Sequence, residues 1–122
     1  MAADFTDLRV WSNSVELVRE IAVLTRSMRG PAVRNASDQM LRAAESIPAN
    51  IAEGYGRGLG DDFARFLRGA GASAAELESH LHVSLASGRL PPARVQPLIA
   101  KARALRAMLR ALAGSVAVRN AR

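Results

Sequence analysis

Cysteine is absent from all 122 residues. That removes disulfides, thiolate metal sites and cysteine nucleophiles, and it is compatible with a reducing cytosol. Aromatic residues amount to 4%, so a core must be assembled from small and aliphatic side chains, which favours close-packed helices over a sheet. No run approaches the ~18–20 apolar residues that cross a bilayer. The opening MAADFTDLRV is acidic and has no long apolar stretch, unlike a secretory signal. A soluble, cytoplasmic protein without membrane contact is expected. Lysine is nearly missing, Lys101 standing against sixteen arginines, and carboxylates are missing altogether after Glu78.

That last absence makes the charge uneven. Residues 1–78 carry nine arginines against all eleven acidic residues, a balance of −2; residues 79–122 carry seven arginines and Lys101, a balance of +8. A GC-rich genome accounts for arginine in place of lysine but not for the loss of acids. The asymmetry points to a polyanion or an acidic protein surface as partner.

Hydrophobic residues make up 49% and charged residues 23%, a composition that suits one folded domain over residues 1–122. Three breaks divide it: Gly30-Pro31, the glycine-rich GYGRGLGDD at 54–62, and SGRLPPARV at 87–95. The spacing between them predicts helices over about 7–28, 32–55, 61–87 and 92–117. In the first, Leu8, Trp11, Val15, Val18 and Ala22 make an apolar stripe, with Thr6 or Asp7 available as a cap. The second sets Ala36, Met40, Ala43, Ile47 and Ile51 on one side. An aspartate at 61 or 62 can cap the third, which continues through Phe63, Phe66, Ala70, Ser73, Leu77, Leu81 and Leu85. The fourth has the strictest repeat: Val95, Leu98, Ala102, Leu105, Leu109, Leu112 and Val116. No segment alternates like a strand. The expected fold is all-α, an antiparallel up-down four-helix bundle. Ile21, Leu24, Ile99 and Met108 fall beside the main stripes, and this surplus of apolar surface implies an oligomer.

Catalytic constellations are missing. His80 and His82 lie two apart and point to different faces; Glu76 and Glu78, each four residues before one of them, allow surface pairs. Neither pairing matches a zinc or di-metal helix motif. Glu53 has no second carboxylate at helical spacing. The glycine run follows a helix, not a strand, and lacks the Gly-Lys-Ser/Thr ending of a phosphate loop. The expectation is a protein that is not an enzyme, with no metal and no cofactor.

The stretch SIPANIAEGYGRG at 46–58 stands out instead. Pro48 cannot donate to the carbonyl of Ala44, so a kink is expected there. Ser46 and Asn50 share a face and can satisfy freed backbone groups, Glu53 is adjacent, and Arg57 is placed four residues beyond Glu53 for an ion pair. Ser46, Pro48, Asn50, Glu53 and Gly54 are read as a structural joint, a polar seam at a bent helix end.

With DLRVW near the N-terminus, QMLRAAESIPANIAEGYGR at 39–57, FARFLRGAGASAAELESHL at 63–81 and the closing leucine repeat, the chain resembles the 23S rRNA intervening-sequence proteins over about residues 5–115. It is also similar to the accessory variability determinant proteins of diversity-generating retroelements. Gln39, Arg42, Ser46, Asn50, Glu53, Gly54, Arg57, Phe63, Phe66, Leu67 and Glu76 match the family pattern, whereas GPAVRNASDQ departs from it by keeping only one acid, Asp38. The resemblance implies a four-helix bundle in a ring-like homopentamer, no established enzymatic activity, and nucleic-acid contact through a basic surface. Arg103, Arg106 and Arg110 form a stripe at i, i+3 and i+7; Arg65 and Arg68 lie three apart on the third helix; Arg42 and Arg57 flank the joint. These seven are the candidate nucleic-acid-binding residues, contacting RNA or DNA through the backbone, since no aromatic platform for bases is present. The alternative is an interaction module that docks an acidic protein partner and touches no nucleic acid.

Overall fold

The computed structural model describes residues 4–120. A short 3-10 turn, Phe5–Asp7, precedes four helices: α1 (Arg9–Arg26), α2 (Pro31–Gly56), α3 (Asp61–Ala86) and α4 (Pro92–Asn120). Among the described residues there is no strand. The protein is all-helical, the class its composition favours.

The expected cap of α1 is corrected by the N-terminal turn. The Asp4 side chain accepts from the Asp7 N–H while Asp7 accepts from the Asp4 N–H at 3.2 Å, a reciprocal capping box that closes the 3-10 turn, and Asp4 also accepts from the Phe5 N–H at 2.9 Å. Leu8 is then extended, and α1 starts at Arg9 with no side-chain cap. Neither Thr6 nor Asp7 caps α1. Asp61 and Asp62 likewise lie inside the first turn of α3, favourable to its dipole, while Gly60 occupies the capping position without a side-chain bond. At the start of α2, Gly30 has φ 97, a left-handed conformation that suits glycine, and Pro31 follows as the first helical residue.

Each helix packs against its two neighbours around the bundle, and among the described residues the diagonal pairs α1–α3 and α2–α4 bring no Cα atoms within 8 Å of each other. Cross-helix bonds give the direction. Asn13 meets Met108, Glu20 meets Lys101, and Ser27 meets Arg94, so α1 and α4 run antiparallel. Four-residue connections join α1 to α2 and α2 to α3, the arrangement of helical hairpins.

The core is aliphatic. Ile21, Leu24, Met40, Ile47, Ile51, Leu67, Leu77, Leu81 and Leu109 are fully buried. On α1 this reverses the expected orientation. Val10, Leu17, Ile21 and Leu24 face the core, and Leu8, Trp11, Val15, Val18 and Ala22 are only half-buried. Periodicity alone missed this because Ser14 and Thr25 interrupt the true core stripe. Both are buried, and both satisfy their hydroxyls on their own helix: Ser14 donates to the Trp11 carbonyl at 2.7 Å and Thr25 to that of Ala22 at 3.1 Å. Similar corrections hold elsewhere. Ile99 joins the core and Leu112 gives way to Ala113; Phe66, Ser73 and Leu85 flank the core of α3, where Ala64, Leu67 and Ala74 are buried. Ile21, Leu24 and Ile99 are therefore no surplus. Partly open apolar surface includes the outer stripe of α1 and Met108 on α4, with Leu41, Tyr55, Leu85 and Leu112 on the other helices.

Candidate nucleic-acid interface

Polar residues on α2 at 39, 42, 46, 50 and 53, continued by Arg57 at its C-cap, recur at intervals of three and four and fall on one side of the helix. Opposite them on α3 stand Asp62, Phe66, Gly69, Ser73, Glu76 and His80 at the same spacing. The contacts between these rows run antiparallel. Ser46 and Ser73 share a hydrogen bond of 2.8 Å between hydroxyls. Asn50 Nδ2 donates to the Ser46 carbonyl at 2.8 Å and to its Oγ at 3.1 Å. Asn50 in turn covers Gly69, where a Cβ would come 3.2 Å from its Oδ1. At Gly54 a Cβ would stand 2.5 Å from Phe66 Cβ, so the helices cross there at a distance only glycine permits.

The joint residues thus sort into two groups. Ser46, Asn50 and Gly54 lock α2 to α3. Glu53 is not part of that lock: it is exposed and meets Arg57 at 3.5 Å. Helix α2 runs unbroken through Pro48, and Asn50 does not cap the carbonyl that Pro48 releases. That carbonyl belongs to Ala44, whereas Asn50 adds a second bond to the carbonyl of Ser46.

The arginines at this seam are held internally. Arg57 also lies 3.9 Å from Asp62, and Arg65 pairs with the same carboxylate at 3.1 Å. Both guanidiniums pack over the Phe66 ring, 4.9 and 4.7 Å from its centre. Arg42 is exposed, with acidic Asp38 and Glu45 one turn to either side on the same helix.

The α3–α4 seam is built differently. Glu78 is 8% exposed and is the carboxylate buried in the fold. Arg103 donates through Nε to its Oε2 at 3.1 Å. Arg106 Nη2 lies 3.1 Å from Oε1, close enough for charge attraction though not aligned as a hydrogen bond. His82 Nε2 is 3.5 Å from Oε2. Burial pushes the Glu78 carboxyl up, but the Arg103 hydrogen bond, the charges of Arg106 and Arg103 and the His82 contact outweigh it, and its pKa is held below the ordinary 4.5. The expected surface pair of Glu78 with His82 is instead an inter-helix cluster in which the carboxylate is buried while its basic partners reach the surface. A signal was present in the sequence: Glu78 adjoins the core position Leu77, and the helix packed opposite has no acid of its own.

Carried one to two turns along, the same register sets Arg110 level with Gly71 and Ala74 of α3, and Arg68 one turn before Gly71. Arg68 and Arg110 are exposed and have no carboxylate contact among the described residues. A Cβ at Gly71 would meet open space. The seven candidate arginines therefore do not share one face. Arg42, Arg57 and Arg65 belong to a seam of mixed charge, while Arg68, Arg103, Arg106 and Arg110 gather along the α3–α4 edge.

These features define a helical protein of four packed α-helices with a polar lock on one seam and a cationic cluster on the next. The model of the 23S rRNA-intervening sequence protein family matches residues 6–111, and the chain belongs to that family. Among curated proteins none matches the chain. No described helix is long and apolar enough to cross a membrane.

Proposed function

We propose that this protein is a non-enzymatic homo-oligomer that engages the phosphate backbone of RNA or DNA along its α3–α4 edge. One observation carries the reading. On this edge residues 92–118 of α4 contribute no acid; Glu78 takes up Arg103 and Arg106, and Arg68 and Arg110 keep their charge uncompensated. Contact of this kind is driven by charge and reads little sequence. The half-buried stripe of Leu8, Trp11, Val15, Val18 and Ala22 supports assembly of several copies, for which the family resemblance implies a ring-like pentamer. Repetition of the edge around a ring adds the fields of its copies. A cytoplasmic location fits a nucleic-acid partner.

Titration of labelled RNA and DNA against salt tests the reading. The logarithm of affinity should fall linearly with the logarithm of salt, and replacing Arg103, Arg106 and Arg110 together by alanine should lower that slope by about two to three for every sequence alike. Absence of binding at low salt overturns it. Light scattering tests assembly, and a monomer excludes the ring.

A second reading is favoured by the groove between α1 and α4. Its floor is Leu17, Leu24, Leu98 and Leu105, and Arg19, Arg94 and Lys101 stand at its rim together with Glu16 and Glu20. An acidic amphipathic helix of another protein fits such a groove, and binding of acidic peptides without nucleic-acid binding would favour this reading.

A further inference from the structure

Arg103 uses Nε, and not a terminal nitrogen, to bind Glu78. This choice leaves its outer edge, Nη1 with Nη2, unspent, and the side chain is 60% exposed. Glu78 is fixed by burial and by a second cation on its other oxygen, so it is a rigid anchor for a long, otherwise mobile side chain. A guanidinium held in this manner presents two parallel N–H groups, which match two non-bridging oxygens of a phosphodiester; a lysine ammonium offers no such fork. Arg106, with a side chain 35% exposed, touches Glu78 through one terminal nitrogen and also keeps donors free. Arg110 follows one turn on, unpaired.

We propose that Glu78 and Arg103 form a built phosphate clamp: the buried carboxylate positions the guanidinium, and its outer edge takes a nucleic-acid phosphodiester in a bidentate contact. The clamp rests on the nucleic-acid reading above and assigns to Glu78, an acid within a cationic edge, a positioning role and not that of a competitor. Arg103 makes the contact.

The test keeps charge and geometry apart. Arg103→Lys preserves the charge at an exposed position where folding is secure, and it should weaken binding of short labelled RNA and DNA by roughly fivefold with the salt slope unchanged. Glu78→Gln raises the net charge by one, which by itself tightens binding to a polyanion; it should nevertheless weaken binding by about threefold. Combining the two substitutions should cost no more than Arg103→Lys alone, because Glu78 acts through Arg103. Thermal melting followed by circular dichroism checks that both variants keep their helices. Wild-type affinity in Arg103→Lys, or tighter binding in Glu78→Gln, overturns the clamp while leaving backbone binding intact. If the wild type and both variants fail to bind either probe at low salt, the nucleic-acid reading itself falls, and the clamp with it.

Discussion

The α2–α3 seam and the α3–α4 seam both carry arginines, yet they use them differently. Across α2–α3 each cation that makes a contact meets acids from its own or the facing helix, and Arg57 and Arg65 share Asp62 and one aromatic ring. Hydroxyls, an amide and two glycines fill the remaining positions. The seam is self-satisfied and close-packed. Across α3–α4 a single buried carboxylate serves two arginines, and the next arginine has none. An arginine's availability is thus decided by the helix packed against it, and spacing along its own helix does not reveal that.

Substitutions should separate a seam that holds the fold from one that holds charge. The largest effect is expected at Gly54. Gly54→Ala forces a Cβ into Phe66 at 2.5 Å, which should cost about 2 kcal/mol or more by denaturant unfolding, despite alanine's better helix propensity. A neutral result means that α2 and α3 do not cross so closely. Glu78→Ala should cost less, about 1 kcal/mol, because the two arginines it releases can reach water.

Glu78 also predicts a pH dependence. Its folded pKa is lowered, so its contribution is present above the unfolded value of about 4.5 and lost as pH falls through the lower folded value. The wild type should lose stability over that acid range more steeply than Glu78→Gln. Equal acid profiles would show that the carboxylate is not paired in solution. The smallest effect is expected at the hydroxyl pair. Ser46→Ala should cost about 0.5 kcal/mol, and Ser73→Ala added to it little more, since the second hydroxyl has already lost its partner.

Much of the fold was legible in the chain. Gly30-Pro31 and the glycines before Asp61 mark helix ends through backbone geometry that few other residues allow, and α4 buries most of the stripe its spacing marked out. The core face of α1 was not legible, because two apolar stripes compete there and the buried one is broken by Ser14 and Thr25. At the candidate site, the stripe of Arg103, Arg106 and Arg110 was visible, as was the cluster of Ser46, Asn50 and Gly54. The bond between Ser46 and Ser73 was not, and neither was the capture of two arginines by Glu78; each joins residues on separate helices.

The sequence by itself determined that the chain is helical, approximately where its helices break, and that its net positive charge lies in residues 79–122, since these follow from local backbone preference and composition. Only the tertiary structure decided which face of α1 is core, which of the seven arginines are already neutralised, and that Glu78 is buried. Those outcomes depend on the register between neighbouring helices, and register is set by the sum of side-chain shapes across a contact, which no single helix contains.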